Sequence, residues 1–463
     1  MKSSLAALQP WISRAAIANV SDSAADAKFD GVSTDSRAVS IGNLFVALRG
    51  ERFDAHDFLN EVAAKGVAAM VVERVPEGLA IPALVVPDTR VALGEIAAYW
   101  RRQFALPVIG VTGSNGKTTV KEMIASILAA AFGAERCMAT RGNLNNDIGV
   151  PLTVFRLNAS YQAAVIELGM NHPGEIAQLA AIAQPTVGLV NNAQREHQEF
   201  MESVEAVARE NGAVLRSLPE NGTAVFPADD EYTPLWRDFA AGRKVKTFGL
   251  SDDADVTCAW QANDFGSDLS IRAGTATFQV KLAAAGEHNV CNALAATACT
   301  LAVGVPVDAV IRGLEAFAPV NGRLQRKAAR CGALVIDDTY NANPDSVRAA
   351  IDVLANAAKP RLLVLGDMGE VGNEGPQYHA EVGAYAKSRG IEHMLALGDL
   401  ARHSVEAFGA DAEHFADVAT LNAAVDKLAS AGSTVLVKGS RFMEMERVVQ
   451  HLVNQESSVQ EAH

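Results

Sequence analysis

The sequence has little of what marks secreted, zinc-stapled or nucleic-acid-binding proteins. Its five cysteines are scattered at positions 137, 258, 291, 299 and 331, with no CxxC pair and an odd total. A disulfide framework or a cysteine-ligated zinc site is therefore disfavoured, and a reducing compartment fits. The net charge is −14 and no long Lys/Arg run is present. This charge balance disfavours nucleic acid or an anionic membrane surface as a partner.

Apolar runs of membrane-spanning length are also missing. Gln9, Pro10 and Arg14 interrupt the N-terminal segment, which therefore lacks the apolar core of a signal peptide. The long uncharged stretches 176–194 and 289–307 each contain Asn, Thr and Pro. A membrane span needs about 20 mostly apolar residues, so both stretches read as buried elements of a globular fold. We predict a cytoplasmic protein with no membrane insertion.

The composition is that of a globular protein, with 49% hydrophobic and 20% charged residues in 463. At about 100–200 residues per domain, this length predicts two to four domains. Breaks in the pattern near Pro107 and near residue 320 divide the chain into predicted domains 1–104, 105–320 and 321–463. Residues 221–285 are predicted to form a β-rich insert within the second domain.

Short apolar segments alternate with helical ones, which is typical of parallel sheets covered by helices. The predicted strands are LFVAL, AAMVVE and ALVVP in the first domain, and VIGVTG, AAVIELG and TVGLVNN in the second. The third domain has ALVIDDT, RLLVLGD, HMLALGD and TVLVKGS, of which the last three end in Gly-Asp or Gly-Ser. Open α/β sheets bind ligands at the carboxyl ends of their strands, where these polar residues fall.

The clearest motif is VIGVTGSNGKTTV, which combines an apolar strand, a glycine turn and a helix start. Gly113 and Gly116 allow backbone amides to crowd around phosphate oxygens, and the helix N-terminus adds free N–H groups. Lys117 would reach the terminal phosphates and Thr118 would bind Mg²⁺. Valine stands at the first glycine position of the strict phosphate-loop pattern. An ordinary glycine turn ahead of a helix is therefore the alternative.

Polar residues after two further strands are candidates for metal binding. AAVIELG ends in Glu167, and a carboxylate there is well placed to hold Mg²⁺ beside a phosphate loop. His197 lies in the loop that follows TVGLVNN. Taken alone, Glu167 also fits a helix cap or a solvated residue, and His197 fits a surface histidine.

Two amides start the predicted helix in GEHNVCNALAA. Asn289 and Asn292 are three residues apart, and each amide supplies donors and an acceptor with which to read an adenine edge. Capping of the helix by Asn289 explains the same spacing equally well.

Together these segments resemble the Mur ligase family. The resemblance rests on TGSNGKTT, ELGMNHPGEI, the loop 192–197, GEHNVCNALAA, VNGR, DDTYNANPDS, LGDMGEVG and KGSR, in that order, between about Ser33 and Glu446. It implies an ATP- and Mg²⁺-dependent ligase of peptidoglycan precursor synthesis. Its partners would be a UDP-N-acetylmuramoyl-tripeptide and D-alanyl-D-alanine, joined through an acyl phosphate. Three segments resemble those of the family members that add this dipeptide: RGNLNNDIGVP, NAQREH and DTYNANP.

The resemblance implies an α/β fold class with three domains. A small N-terminal α/β domain would bind the UDP-sugar. A central P-loop-type domain, with a parallel sheet and helices on both faces, would bind ATP. A C-terminal Rossmann-like α/β domain would bind the dipeptide. We expect a monomer, with hinges at the linkers near residues 105 and 320.

The resemblance also assigns site residues. For ATP these are Thr112, Gly113, Ser114, Asn115, Gly116, Lys117, Thr118, Thr119, Asn289, Asn292, Arg323 and Asp338. For the UDP-muramoyl-peptide they are Ser33, Thr34, Asp35, Ser36, Arg37, Arg49, Gly50, Asn143, Asn145, Asn146 and Asp147, and for the dipeptide Asn341, Asn343 and Asp345. Thr118, Glu167 and His197 would be metal ligands, and Lys117, His197 and Arg323 would carry catalysis, with Arg323 aimed at the γ-phosphate.

Structural readings stay open at several of these positions. STDSR at 33–37 also fits a polar turn, and NANP is a turn sequence in its own right. Asp367 and the segment 438–441 also fit loop caps.

One position departs from the family pattern. Many Mur ligases carry, in the helix after the histidine loop, a lysine that CO₂ converts to a carbamate beside a second Mg²⁺. Asn211 occupies this position, and residues 200–221 contain no lysine. An amide cannot be carbamylated, and Glu210 next to it faces another side of a regular helix. We therefore expect Glu167 and His197 to hold the metal with water.

Two other classes of protein are alternatives. Folylpolyglutamate synthetase shares the ligase architecture, but STDSR and NLNNDIGVP point to a UDP-muramoyl substrate. A P-loop GTPase switch would carry an NKxD motif, which this sequence lacks. The sequence leaves open whether the third residue of the tripeptide is lysine or diaminopimelate.

Overall fold

The computed structural model describes residues 1–18, 26–196, 198–263 and 265–453. In this part of the chain, four β-sheets and their covering helices form three successive α/β units. No helix in the same ranges is both long and apolar enough to cross a lipid bilayer.

The N-terminal unit is built on a small sheet. Its elements are β1 Lys2–Ser4, α1 Leu5–Leu8, β2 Ala16–Ala18, β3 Lys28–Asp30, β4 Val32–Ser33, β5 Leu44–Val46, α2 Leu59–Ala64, β6 Ala69–Val72, β7 Ala83–Val85 and α3 Thr89–Arg101. The strand order is β2-β7-β6-β5-β4, with β4 to β7 parallel and β2 antiparallel, and β1 pairs with β3 beside it. The predicted strands LFVAL, AAMVVE and ALVVP are β5, β6 and β7.

The middle unit holds the largest sheet. Its strands are β8 Val108–Thr112, β9 Cys137–Ala139, β10 Ala163–Glu167, β11 Val187–Val190, β12 Thr223–Pro227, β13 Lys244–Phe248, β14 Val256–Asn263, β15 Gly266–Ala273 and β16 Ala276–Leu282. Its helices are α4 Lys117–Phe132, α5 Gly149–Val154, α6 Glu175–Ala183, α7 Val204–Arg216, α8 Thr233–Phe239, α9 Glu287–Ala302 and α10 Val307–Glu315. The spatial order is β16-β15-β14-β13-β12-β11-β8-β10-β9.

Residues 221–285 are β-rich, as predicted, but their strands belong to the main sheet and do not form a separate insert. β12 and β13 continue the parallel sheet, and β14 joins β13 in parallel. β15 and β16 then extend the same sheet as an antiparallel meander. Val256, Leu269 and Val280 lie in the apolar core that contains α4 and α9. The meander forms one edge of the middle sheet, and one of its faces packs on this core.

Helices cover both faces of the middle sheet, as predicted. α4, α9 and α10 pack on one face, and α6 and α7 pack on the other. The core on the α6 and α7 face continues into the N-terminal unit, where α3 packs closely on α6. A Cβ on Gly94 of α3 would lie 2.9 Å from Ile182 Cδ1 of α6. Arg101 donates hydrogen bonds to the carbonyls of Ala183 and Gln184. A shared apolar core crosses the linker near residue 105, and the hinge expected there stays a prediction.

The C-terminal unit has its own sheet. Its elements are β17 Gln325–Ala328, β18 Leu334–Asp338, α11 Pro344–Ala355, β19 Arg361–Gly366, α12 Gly375–Ser388, β20 His393–Leu397, α13 Arg402–Phe408, β21 Ala412–Phe415, α14 Val418–Leu428, β22 Thr434–Lys438 and α15 Glu446–Val453. The order is β17-β18-β22-β19-β20-β21, parallel except for β17. The four strands predicted for this domain are β18, β19, β20 and β22. Two separate apolar cores lie on the two faces of this sheet.

Candidate active site

A cleft of about 1390 Å³ lies between the middle and C-terminal units. The predicted site residues that line it are Ser114, Asn115, Gly116, Lys117, Thr118, Thr119, Asn143, Asn145, Asn146, Asp147, Glu167, Asn289, Asn292, Arg323, Asp338, Asn341, Asn343 and Asp345. Most of these residues follow the carboxyl ends of parallel strands, where such sheets bind ligands. The fold therefore brings together residues that are as far apart in the chain as Ser114 and Asp345.

The phosphate loop has the backbone geometry that the sequence predicts. Gly113 has φ 134° and Gly116 has φ 82°, and a Cβ on Gly116 would lie 2.5 Å from Asn292 Oδ1. Both positions therefore require glycine. The backbone N–H groups of residues 116–119 have no acceptor within the described residues. Four unpaired N–H groups at the start of α4 form a place for phosphate oxygens.

Lys117 lies over this loop. Its Nζ donates to the carbonyls of Gly113 at 2.6 Å and Ser114 at 3.0 Å, and it pairs with Glu196 Oε1 at 2.7 Å. The side chain is largely buried. The ammonium group is thus held at the loop by acceptors that a phosphate could replace.

A chain of polar groups at the start of α4 joins four segments of the protein. Arg323 Nη2 donates to Thr118 Oγ1 at 2.9 Å, and Thr118 Oγ1 lies 3.1 Å from Glu167 Oε1. Asn145 Nδ2 donates to the same carboxylate oxygen at 2.8 Å. Arg323 also stacks on the Tyr340 ring at 4.1 Å from its centroid. The arginine predicted to face the γ-phosphate is therefore directed at the phosphate loop.

The residues present fit a magnesium ion. Glu167 is 2% exposed, and its Oε2 has no hydrogen-bond partner within the described residues. A buried carboxylate oxygen without a partner is costly unless a cation or donor compensates it. A hard oxygen ligand beside the Thr118 hydroxyl is what Mg²⁺ prefers. Thr118 and Glu167 are therefore the residues that would hold the ion.

Few protein ligands surround this position. In the described ranges no three His, Cys, Asp or Glu residues are grouped as a metal site. Mg²⁺ commonly keeps several waters and binds through one or two carboxylates plus substrate phosphates. The third predicted ligand, His197, lies outside the described residues.

Asn211 does not lie free beside the metal position. Its buried Oδ1 accepts hydrogen bonds from Thr112 Oγ1 at 2.5 Å and from Gly113 N at 3.0 Å. It therefore fixes the start of the phosphate loop. Glu210, considered as a substitute ligand, accepts from the backbone N–H groups of Gly174 and Ile176 at 2.8 Å each. Its carboxylate thus caps α6.

We predict activity that is insensitive to bicarbonate, because an amide at position 211 cannot form a carbamate. Activity would be assayed after CO₂ is stripped from the buffers and again after bicarbonate is restored. The two rates should agree. A rate that rises with bicarbonate, or a carbamate on any lysine beside the nucleotide, would contradict this prediction.

The two amides predicted to contact adenine belong to one network. Asn289 Nδ2 donates to Ala285 O at 2.8 Å, Asn292 Nδ2 donates to Asn289 Oδ1 at 3.1 Å, and Asn191 Nδ2 donates to Asn292 Oδ1 at 2.9 Å. The N-cap of α9 is Gly286, without a side-chain cap. The alternative that Asn289 caps the helix is therefore wrong. Both amides are held in fixed orientations at the cleft wall.

The neighbouring histidine adds no positive charge at neutral pH. Exclusion of water from the ring lowers the pKa of His288 to about 4, against a smaller opposing effect of Asp338. Sequence reasoning did not select His288, although it stands between the cleft residues Glu287 and Asn289. Its position beside the two predicted adenine contacts was the available signal.

Asp338, predicted to contact the ribose, is already engaged. Its Oδ1 accepts from Leu324 N at 3.1 Å, and its Oδ2 pairs with Lys438 Nζ at 2.5 Å. Lys438 also donates to Asn341 O at 2.8 Å. Asp367 accepts from the N–H groups of Leu400 and Ala401, so it has the loop-capping contacts considered for it.

The residues predicted for the dipeptide line the cleft but also have structural partners. Asn343 caps α11, because its Oδ1 accepts a hydrogen bond from Ser346 N at 2.8 Å. Its Nδ2 donates to Asn115 Oδ1 of the phosphate loop at 2.9 Å. Asp345 accepts from Arg195 through the backbone N and the guanidinium. Asn341 is exposed. Arg195 was not selected from the sequence, although it lies in the quoted segment NAQREH.

The residues predicted for the UDP moiety lie at a different edge. Segment 33–37 follows β4, and Arg49 and Gly50 follow β5, which pairs with β4 in parallel. Neither group lines the cleft. Hydrogen bonds from Arg37 lower the pKa of Asp35 to about 2, so this segment has the contacts of a polar turn. The two segments are nevertheless brought to one sheet edge.

Two residues connect this edge with the cleft. Glu51 and Arg90 of the N-terminal unit line the cleft. Arg90 Nε pairs with Asp147 Oδ2 at 2.5 Å, and this aspartate belongs to the predicted muramoyl-peptide segment. The N-terminal unit thus contributes two charged residues to the wall of the cleft.

Comparisons with known proteins cover nearly the whole chain. Three family descriptions match: "Mur ligase family, catalytic domain" at residues 28–101, "Mur ligase middle domain" at 111–300, and "Mur ligase, glutamate ligase domain" at 322–441. The UDP-N-acetylmuramoyl-tripeptide–D-alanyl-D-alanine ligase of Escherichia coli (strain K12) is 42% identical over 432 residues, covering 92% of this chain and 94% of that relative.

Solved structures agree with these matches. A crystal structure of MurF from Acinetobacter baumannii has a TM-score of 0.91 and 35% identity, covering 98% of this chain and 99% of that one. MurF ligase from Thermotoga maritima in complex with ADP has a TM-score of 0.83 and 26% identity, covering 94% and 98%. With this identity over this share of its length, the chain belongs to the Mur ligase family.

Proposed function

We propose that the protein uses ATP to join D-alanyl-D-alanine to a UDP-N-acetylmuramoyl-tripeptide, forming ADP and phosphate in peptidoglycan precursor synthesis. The observation that carries the proposal is the polar chain of Arg323, Thr118 and Glu167, which lies beside phosphate-loop N–H groups that have no acceptor within the described residues. The C-terminal unit faces this chain across the cleft. The near-full-length similarity to relatives of that name supports the substrates.

The chemical problem is to make an amide from a carboxylate in water. A carboxylate is a poor electrophile, so the terminal carboxylate of the tripeptide takes the γ-phosphoryl group of ATP. The resulting acyl phosphate is attacked by the dipeptide amine, an amide bond forms, and inorganic phosphate leaves with the C–O bond electrons. Such phosphoryl transfer depends on positioning and charge neutralisation more than on covalent help.

The residues at the phosphate end supply these two requirements. Lys117 and Arg323 provide positive charge, and each donates a hydrogen bond to the phosphate-loop segment. Mg²⁺, when bound, neutralises further charge on the phosphate oxygens. Asn145 fixes the orientation of the Glu167 carboxylate beside Thr118. These groups are held in place before the reaction, so little reorganisation is needed.

The acceptor side is assigned to the C-terminal unit. Asn341 and Asn343 follow β18, and their segment contacts the phosphate loop through Asn115. An amine bound there would approach the acyl phosphate from the side opposite to the N-terminal unit. Since an acyl phosphate is readily hydrolysed, close contact between the two units keeps water away from it.

Substrate-dependent phosphate release tests the proposal. We expect release of ADP and phosphate to require both the UDP-tripeptide and D-alanyl-D-alanine, with each omission abolishing turnover. Lysine- and diaminopimelate-containing tripeptides would be compared. Folate and glutamate would be tested as alternative substrates. Turnover with these two, and none with the UDP-tripeptide and dipeptide, would establish a folylpolyglutamate synthetase instead. Gel filtration of the same sample would test the predicted monomer.

Asn343 should affect the dipeptide more than ATP. Asn343→Ser keeps a good helix cap but is too short to reach Asn115, so the loss reports on the cleft rather than on α11. We expect the KM for D-alanyl-D-alanine to rise about tenfold, near the cost of one hydrogen bond, with a smaller rise for ATP. Asn158→Ser, in an exposed turn, is the control. Equal changes in the two KM values would show a purely structural role.

A further inference from the structure

One short loop connects the phosphate loop with the C-terminal unit. The bridging loop, residues 191–196, follows β11 and precedes α7. Most of its side chains contact the middle unit, whereas Arg195 contacts the C-terminal unit, and neither set of contacts was assigned from the sequence. Because the loop is short, a displacement on one side is transmitted to the other.

On one side, the bridging loop is bonded to the phosphate loop. Asn192 Oδ1 accepts from Asn115 N at 2.8 Å, and Asn192 Nδ2 donates to Asn115 O at 3.0 Å. Gln194 N donates to Ser114 Oγ at 2.9 Å. Glu196 Oε1 pairs with the Lys117 ammonium. The bridging loop therefore holds both the backbone and the lysine of the phosphate-binding turn.

On the other side, a single residue contacts two helices of the C-terminal unit. Arg195 Nε and Nη2 lie 3.1 and 2.5 Å from Asp345 Oδ1, at the start of α11. Arg195 Nη1 lies 2.7 Å from Glu381 Oε2, in α12. The guanidinium also lies 5.2 Å from the Tyr378 ring centroid. Arg348 Nη1 lies 2.8 Å from the other oxygen of Glu381.

These contacts are of the strong kind. Forked arginine–carboxylate pairs are shorter and stronger than neutral hydrogen bonds and fix an orientation. The side chains of Arg195 and Asp345 are only 21% and 24% exposed, so solvent screens the pair incompletely. Lysine has no comparable fork. The backbone adds a further contact, from Glu199 N to Glu370 O at 3.2 Å.

We propose that Arg195 is a positioning residue that docks the C-terminal unit onto the phosphate loop, so that the acceptor amine meets the phosphorylated carboxylate. The inference rests on the proposed function for the identity of that amine. Arg195, which holds the C-terminal unit, is adjacent in the chain to Glu196, which holds the Lys117 ammonium. Movement of the C-terminal unit is therefore coupled to the position of the lysine. The carboxylate of Asp345 thereby serves the domain contact.

Kinetics of matched variants test the proposal. We expect Arg195→Ala to lower kcat about 100-fold, the loss that misplacement by about 1 Å causes, while ADP affinity stays nearly unchanged. Arg195→Lys should recover only part of the rate, because the charge remains but the fork is lost. Arg209→Ala is the control, since Arg209 forms an exposed ion pair with Glu205 on α7. Wild-type kcat in Arg195→Ala would overturn the proposal.

A double-mutant cycle separates a specific pair from general damage. Arg195→Ala and Asp345→Ala should lower kcat by similar factors. The fold-loss in kcat of the double variant should be much smaller than the product of the two single losses. Multiplicative effects would mean that the two residues act independently, and would overturn the pairing as the source of the effect.

Hydrogen exchange gives a readout that does not depend on the substrates. In Arg195→Ala, with ADP bound, amides at the N-terminal ends of α11 and α12 should exchange faster, while β8 and β10 keep their protection. Unchanged exchange in both helices would overturn the docking role. If instead the wild type fails to release phosphate with its two substrates, the proposed function fails, and the exchange comparison still decides whether Arg195 docks the C-terminal unit.

Discussion

Lys117→Ala should lower kcat/KM by about 1000-fold while the protein stays folded. The ammonium lies at the turn where four backbone N–H groups are available for phosphate oxygens, so it is placed to neutralise charge that develops during phosphoryl transfer. Loss of one such fixed group from a closed site typically costs about 100- to 1000-fold in rate. The measurement is phosphate release under saturating substrates, together with the KM for each substrate.

The fold should survive this change for local reasons. α4 is anchored by its buried apolar face, including Val120, Ile124 and Ile127, rather than by the lysine. The side chain does pair with Glu196, so we expect the unfolding midpoint to drop by no more than about 4 °C. Lys244→Ala, at an exposed position on β13, is the control. Near-normal turnover in folded Lys117→Ala would refute the assigned role.

Long apolar strands and the phosphate loop could be predicted from sequence because their signals are local. VIGVTGSNGKTT contains the strand, both left-handed glycines and the helix start within one short window. The four predicted strands of the C-terminal domain are likewise runs of buried residues with polar ends. β1, β3 and β4 escaped prediction because their residues KSS, KFD and VS form no apolar run of the kind that reveals β5 and β7.

Non-local partners could not be predicted in this way. The alternation in β14 to β16 correctly indicates strands but does not say which sheet they join, so the sequence did not show that they extend the main sheet. Asn211 bonds to a backbone N–H 98 positions away, and Arg195 pairs with a carboxylate 150 positions away. An isolated amide or arginine carries no local pattern that reveals such a partner.

The UDP side shows a different limit. The resemblance placed segment 33–37 and Arg49 at a substrate, and they do share one edge of the N-terminal sheet. The cleft between the other two units does not include them. Their role stays a prediction. It is supported by Glu51 and Arg90 of the same unit, which do line the cleft, where Arg90 pairs with Asp147.

Glu167→Gln should separate activity from stability. The carboxylate is buried, with Oε1 bonded to Thr118 and Asn145 and with Oε2 lacking a partner within the described residues. A glutamine of the same shape keeps an acceptor for these two residues and removes a charge that is costly to bury. We therefore expect an unfolding midpoint equal to or above that of the wild type, as is common when a functional group is removed from a site.

Activity should change in the opposite direction. A neutral amide is a much weaker ligand for Mg²⁺ than a carboxylate, so kcat/KM should fall at least about 100-fold and partly recover as Mg²⁺ is raised. Calorimetry of ADP binding with and without Mg²⁺ gives an independent readout, because the gain in affinity that Mg²⁺ brings to the wild type should shrink in the variant.

Glu220→Gln, at an exposed turn position, is the control. Wild-type dependence on Mg²⁺ in Glu167→Gln would exclude Glu167 as a ligand. A midpoint that falls by several degrees together with the rate would instead assign it a structural role, in which Glu167 fixes Asn145 and Thr118 rather than a cation.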